Sequence, residues 1–168
     1  MPTVGAAELA VVRRRLAALN PLLDASATQH KLSALDLRAL VAQESRGAIY
    51  AIRPEPALHR TLYNRPFLAL LPTLTPEIRR WLDFPNLASA SYGLGQILWT
   101  TALLIGARPR YPTDLLEPGA NLHLTATYLA TLLREQHGDL TAALGAYNGD
   151  RTGAYAAAVL TWRTALST

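Results

Sequence analysis

Cysteine is absent from the chain and methionine occurs once. Thiol nucleophiles, disulfide staples, cysteine-bound metals and sulfur redox switches are therefore excluded, and any redox compartment is tolerated. Lysine is nearly missing too: Lys31 is the single lysine among 16 basic residues, the others being arginine. Charged residues make up only 17% and hydrophobic residues 50%. That balance rules out a disordered chain and argues against a coiled coil. Long apolar runs are missing, since the stretches 67–71 and 154–160 fall far short of the ~20 residues a membrane span needs. No strand alternation, internal repeat or low-complexity linker is read. No signal-peptide pattern is read either, because residues 1–9 hold no basic segment and Arg13, Arg14 and Arg15 precede no apolar stretch. His30, His59, His123 and His137 lack metal-ligand spacing, so no metal and no cofactor are expected. Gly93-Leu94-Gly95 has no third glycine and no preceding strand, which excludes a phosphate-binding loop.

What is present is a chain of 168 residues with a formal charge of +4 and a pI near 9.8. That length suits one compact domain able to bury a core without staples. The charge suits an anionic polymer: nucleic acid, anionic lipid or bacterial wall. Arg13–Arg15 read as a solvated face rather than a nucleic-acid stripe.

Helical signals run from end to end. Leu9, Val12, Leu16 and Leu19 share one helix face, and Asn20-Pro21 reads as the start of a second short helix. Ser33 with Asp36 resembles a capping box. The helix it opens carries Leu37, Leu40, Val41 and Glu44 on one face, so a carboxylate continues an apolar stripe; Arg46-Gly47 ends it. Residues 46–56 read as loop and residues 57–64 as a short helix. Thr75-Pro76-Glu77 opens a helix through Trp81. Residues 88–95 read as a turn, and residues 96–105 as a helix with Gly106 at its end. Leu122, Ala126, Leu129 and Leu133 mark a long helix. Asp139 caps a short one to about Tyr147, and Tyr155, Val159, Trp162 and Leu166 mark the last. The expectation is an all-α fold, one domain over residues 1–168 with residues 1–19 as an N-terminal helix packed on it.

Four short elements stand out in order. They are Ala42-Gln43-Glu44-Ser45 at a helix end, and Ala90-Ser91-Tyr92-Gly93-Leu94-Gly95-Gln96-Ile97, a glycine turn. Next come Pro118-Gly119-Ala120-Asn121-Leu122 with a later Tyr128-Leu129 pair, and Ala143-Leu144-Gly145-Ala146-Tyr147-Asn148-Gly149 at a helix end. Together they resemble the soluble lytic transglycosylases, a lysozyme-like family that cleaves the glycan strands of peptidoglycan. That family carries Glu-Ser, a serine before Gly-Leu-Met-Gln, an asparagine-containing helix start, and Ala-Tyr-Asn-x-Gly. The resemblance spans roughly residues 20–165. This chain departs from it in three places. Gly95 stands where the family has methionine, the stretch from Glu44 to Ser91 is longer, and Gly149 follows Asn148 with no spacer. The resemblance implies a lysozyme-like bundle of about seven to nine helices around a substrate cleft.

The chemistry of glycan cleavage agrees at Glu44. A glycosidic oxygen leaves as it is protonated, by an acid that keeps its proton near neutral pH, and burial among apolar side chains favours that form. A helix-end glutamate bonded to a cap or an arginine is the plainer alternative. Ser45 either orients a carboxylate or a substrate carbonyl, or bonds its own helix. Ser91 belongs to the same glycine turn and is carried as a substrate-binding residue with it. Gln96 has donor and acceptor atoms suited to N-acetyl groups. Tyr147 and Asn148 are expected across the cleft from Glu44, with core packing as the alternative for Tyr147. Tyr92 offers a ring face to a sugar, or packs its loop. A hydrolytic glycosidase needs a second carboxylate ~5 Å from the acid, or ~6.5–9.5 Å with a water between. Glu55, in Arg53-Pro54-Glu55-Pro56, is the best candidate, ahead of Asp83. The resemblance implies instead one glutamate in two roles, closing a 1,6-anhydro ring on N-acetylmuramic acid without water.

Three readings follow. The first is a peptidoglycan lytic transglycosylase, bacteriolytic and antimicrobial in effect, as in a phage endolysin. The second is a hydrolytic muramidase of the same fold that uses Glu55. The third is a non-catalytic helical module that grips glycan or nucleic acid. Under the first, the partner is the glycan strand, with no nucleic acid, no membrane insertion and a monomeric state. The enzyme is then made in the host cytoplasm and reaches the wall by holin-type release, or is secreted with its signal removed.

Overall fold

The computed structural model describes residues 4–55, 57–58 and 64–168. Packing divides the chain into two compact units, Met1–Ala48 with Thr125–Thr168, and Ile49–Leu124.

The first unit opens with α1, Ala6–His30. Pro21 lies inside this helix rather than starting a new one. Proline removes one helical hydrogen bond and costs about 3 kcal/mol in a helix interior. Here both Pro21 and Ala17, whose carbonyl loses its partner, face solvent. The apolar stripe of Val12, Leu16, Leu19, Leu23 and Ala27 runs straight through the proline and is buried along its whole length. Burying each leucine contributes about 1.5–3 kcal/mol, so the stripe outweighs the break. Lys31 closes α1 in the left-handed conformation. Ser33 then caps α2, Ala34–Ser45, by accepting the Asp36 N–H. The buried face of α2 is Leu37, Leu40 and Val41. It packs mainly against α9, Ala154–Ser167, while α1 lies on both.

Arg46 ends α2 at φ 56°. Its guanidinium donates to the carbonyls of Ala42 (2.8 Å) and Gln43 (2.7 Å), pairs with Glu8 (2.6 Å) and lies 4.9 Å over the Trp162 ring. One side chain thus satisfies orphan carbonyls at the helix end and ties it to α1 and α9. α8, Leu140–Asn148, is capped by Asp139, whose side chain accepts the Ala142 N–H at 3.0 Å.

The second unit holds a small antiparallel sheet. Its strands are β1, Ile52–Arg53; β2, Ser91–Tyr92; and β3, Ile97–Leu98, with β2 in the middle. Two-residue strands are too short to show alternation, so the sequence pattern missed them. Around the sheet run α3, Arg65–Leu70; α4, Pro76–Arg79, capped by Thr75; α5, Pro85–Ala88; and α6, Trp99–Leu104. The helix expected from residue 96 starts at Trp99, because Ile97 and Leu98 pair with β2. α4 is continued by a tight turn over Arg80–Asp83. Most of the helix expected over residues 57–64 lies outside the described residues, as does His59. The core of this unit includes Phe67, Tyr92, Leu94, Ile97, Trp99 and Leu103, with Phe67 and Trp99 ring centroids 6.2 Å apart.

α7, Pro118–Glu135, leads the chain from the second unit back into the first. Leu122, Ala126 and Leu129 are buried along it. Among the described residues no helix is long and apolar enough to cross a membrane.

Candidate active site

Glu44 sits in the last turn of α2, half-buried, where the apolar stripe reaches the helix end. The Tyr155 hydroxyl donates a short hydrogen bond to Glu44 Oε1. Tyr155 stands in the first turn of α9, and the loop before it is built to place it. Asp150 accepts the N–H (2.8 Å) and hydroxyl (2.7 Å) of Thr152 on one oxygen, and the Tyr155 N–H (2.8 Å) on the other. The backbone N–H of Tyr155 and the two Thr152 donors hold the Asp150 carboxyl below the usual carboxylate range. Gly145 lets this loop close, since a Cβ there would stand 2.9 Å from the Asp150 carbonyl oxygen.

Tyr147, near the end of α8, brings a second phenol to the same carboxylate. Burial pushes its hydroxyl well above the ordinary phenol value, the negative charge of Glu44 adds to that, and a hydrogen bond with Thr125 works the other way. Tyr147 therefore stays a neutral O–H through the physiological range. Its ring packs at 5.1 Å and 45° against Tyr128, which fixes its plane. Asn148 follows it as an exposed residue at the end of α8. The Ser45 hydroxyl, on the same turn as Glu44, donates to the Val41 carbonyl at 3.3 Å and is buried within its own helix.

The second unit gathers a different group. Gln96 occupies a left-handed turn position at φ 50°. Its amide N–H₂ donates to Gly93 (2.9 Å) and Ala51 (3.2 Å), and its Oε1 lies 3.0 Å from the Ser91 hydroxyl. That hydroxyl also lies 3.4 Å from Glu55 Oε1 and 3.4 Å from the Arg53 carbonyl. A serine donates one proton, so these acceptors share it, with Gln96 the nearest. Glu55 is gripped by Arg53 at 2.5 Å, its side chain 24% exposed.

Tyr92 requires a correction. It is fully buried and its hydroxyl donates to the Leu87 carbonyl at 2.7 Å, with burial pushing its pKa up to about 12. Ring and hydroxyl are both committed to the core, so neither is open to a sugar. The alternative of loop packing holds, because β2 turns Tyr92 inward.

The third sequence element acts on the glycine turn. Asn121 is fully buried, accepts the Gly95 N–H (2.8 Å), and donates to the carbonyls of Tyr92 (2.9 Å) and Leu115 (2.7 Å). Gly93 is required twice over: its φ is +71°, and a Cβ would lie 2.5 Å from the Asn121 amide nitrogen.

The first unit thus brings together Glu44, Tyr147 and Tyr155, and the second brings together Ser91, Gln96 and Glu55. Tyr155 is the residue the sequence pattern missed, because its spacing to Val159, Trp162 and Leu166 reads as core. Its place in the first helical turn after Gly149-Asp150-Arg151-Thr152-Gly153 was the available signal. Among the described residues no group of three or more His, Asp or Glu could hold a metal ion.

The family model described as the transglycosylase SLT domain matches residues 22–156, which contain every one of these groups. No curated protein and no solved structure gave a significant match. The match covers most of the chain and includes the Glu-Ser helix end, the glycine turn and the Tyr-Asn helix end: the chain belongs to the transglycosylase SLT family and is a lytic transglycosylase acting on peptidoglycan.

Proposed function

We propose that Glu44 performs both proton transfers of a non-hydrolytic cleavage between N-acetylmuramic acid and N-acetylglucosamine. In the first step the Glu44 carboxyl gives its proton to the bridging oxygen as the C1–O4 bond breaks. The departing N-acetylglucosamine leaves as a neutral alcohol. In the second step the Glu44 carboxylate takes the proton of the C6 hydroxyl as O6 attacks C1. The product is a 1,6-anhydro muramic acid end, and Glu44 is returned protonated. No water is consumed, and the proton count closes on the one carboxyl group.

The observation that carries this reading is the Tyr155 hydroxyl on Glu44 Oε1, with the Tyr147 phenol beside it. A donor on one carboxylate oxygen holds the rotamer of the acid. It also stabilises the carboxylate that forms as the proton departs. Five other carboxylates of this unit are engaged elsewhere: Glu8 with Arg46, Asp24 with Arg38, Asp36 with Arg163, Asp139 as a helix cap and Asp150 in its turn, while Glu135 acts on the Tyr128 phenol. Asn148, exposed at the end of α8, is assigned to a sugar N-acetyl group and Ser45 to bracing the Glu44 turn, while Ser91 and Gln96, buried and bonded to each other and to the Gly93 and Ala51 carbonyls, hold the glycine turn of their own unit. Glu55, neutralised by Arg53, is assigned to shaping its loop. The hydrolytic reading would make Glu55 a base or nucleophile.

We also propose a monomeric, bacteriolytic role of the phage-endolysin kind, with synthesis in the cytoplasm and action on the wall. Its support is the formal charge of +4, which draws the protein to an anionic wall and away from precipitation. The test of the reaction is the mass of the released muropeptides. Anhydro ends that borohydride cannot reduce are expected. Ends heavier by one water and reducible would make the enzyme a muramidase.

A further inference from the structure

The second unit displays an aromatic surface built on Trp81, Phe84 and Tyr111. Trp81, in the tight turn after α4, meets Phe84 with ring centroids 5.9 Å apart and Tyr111 at 5.8 Å, edge to face. Phe84 is 54% exposed and Leu87, one turn further on, 42%. Isolated exposed apolar side chains are ordinary, but three touching rings at the surface are not. The cluster is also fixed in place. The Trp81 indole N–H donates to the Arg110 carbonyl at 2.8 Å, joining two segments 29 residues apart. Asp114 accepts the Tyr111 N–H at 2.9 Å.

Guanidinium groups frame the rings. Arg80 lies 5.3 Å from the Trp81 ring centre and 5.9 Å from that of Tyr111, and Arg110 lies 5.5 Å from Tyr111. Both arginines are exposed. Stacking on a ring leaves the N–H edge of a guanidinium free to point outward at a carboxylate. Glu77 lies within the field of both, and its own first-turn N–H and Thr75 hold it as a carboxylate. It offsets part of one charge.

We propose that the Trp81–Phe84–Tyr111 surface is a second glycan-holding site that anchors the enzyme to intact peptidoglycan. This rests on peptidoglycan being the substrate. The strand supplies both complements: pyranose C–H faces lie flat on rigid rings, and the free carboxylates of the peptide stems meet Arg80 and Arg110. A preorganised aromatic surface loses little side-chain entropy on binding, which favours this partner over a flexible one. No reacting group is among these residues, so the site holds substrate and does not cleave it.

The experiment uses full-length Glu44→Gln protein, which does not digest its target, cosedimented with purified peptidoglycan sacculi. Adding Phe84→Ser and Arg80→Gln should weaken binding about tenfold or more, as loss of an aromatic and an arginine anchor does. A melting curve confirms the fold. Should that variant not fold, the unaltered surface still reports. Trp81 is half-buried while Trp99 and Trp162 are buried, so soluble strands should protect Trp81 fluorescence from acrylamide. The proposal is overturned if the folded double variant binds sacculi like its parent, if strands give no protection, or if the parent binds no sacculi. Equal loss of binding to phosphatidylglycerol vesicles would assign the surface to membranes, and dissociation of a dimer would assign it to a second copy. Each of these also overturns the proposal. Failure of the catalytic reading shows separately, as wild-type enzyme that releases no anhydro ends.

Discussion

Replacing Tyr155 by phenylalanine removes one oxygen from the site and leaves the ring that packs in the first turn of α9. The lost contact is a hydrogen bond to a carboxylate. Such bonds are worth about 1.5–3 kcal/mol. Both residues are half-buried, so solvent replaces part of the donor and the lower end applies. At about 1.4 kcal/mol per decade, kcat should fall about tenfold. The loss belongs in kcat because the carboxylate charge develops during proton transfer, when the donor matters most. The pH profile gives the second reading. The Tyr155 donor favours the charged form of Glu44, so its removal favours the protonated form. A general acid in the free enzyme sets the alkaline limb of kcat/KM, and that limb should move upward. Rates on defined soluble glycan fragments across pH, with a melting curve as control, test both. A folded variant with kcat within twofold of wild type and an unmoved alkaline limb refutes the role of Tyr155.

Glu44→Gln should cost about 10²–10⁴ in rate with the fold intact, because an amide cannot deliver the proton; more than a tenth of wild-type turnover in a folded variant sinks the assignment. Glu55→Gln, assayed beside it, should keep most activity, and an equal collapse would point to the hydrolytic mechanism. Asn121→Ala removes the side-chain hydrogen bonds to the Gly95 N–H and to the Tyr92 and Leu115 carbonyls in the core. At about 1–3 kcal/mol for each buried group left unpaired, it should lower stability by at least ~2 kcal/mol in urea, and a change under half of that would show that water replaces the amide. Asp150→Ala should destabilise the protein near neutral pH. The Asp150 pKa is lower in the fold than outside it, so its contribution exists above the ordinary aspartate range and fades as pH drops through the folded value. A gap between wild type and Asp150→Ala in melting temperature that persists at low pH would contradict this.

What the residues determine by themselves is whatever acts over one or two helical turns. Ser33, Thr75 and Asp139 cap the helices they were expected to cap, because a cap is a bond to an N–H three residues away. The end of α2 at Arg46 and Gly47, both at positive φ, was equally legible, as was the stripe that carries Glu44 to that end. The order of the four motifs was enough to name the family. Tertiary structure decided the rest. Pro21 reads locally as a helix start, yet burial of Leu23 and Ala27 keeps α1 whole. No local rule separates the roles of Tyr92 and Tyr155. One is locked in the core on the Leu87 carbonyl. The other reaches Glu44 across 111 residues of chain. Asn121 and Gln96 carry the same side-chain chemistry as a surface amide, and only the fold surrounds them with backbone groups to bond. A side chain's role depends on which distant atoms the packing brings to it, and packing is a property of the whole core.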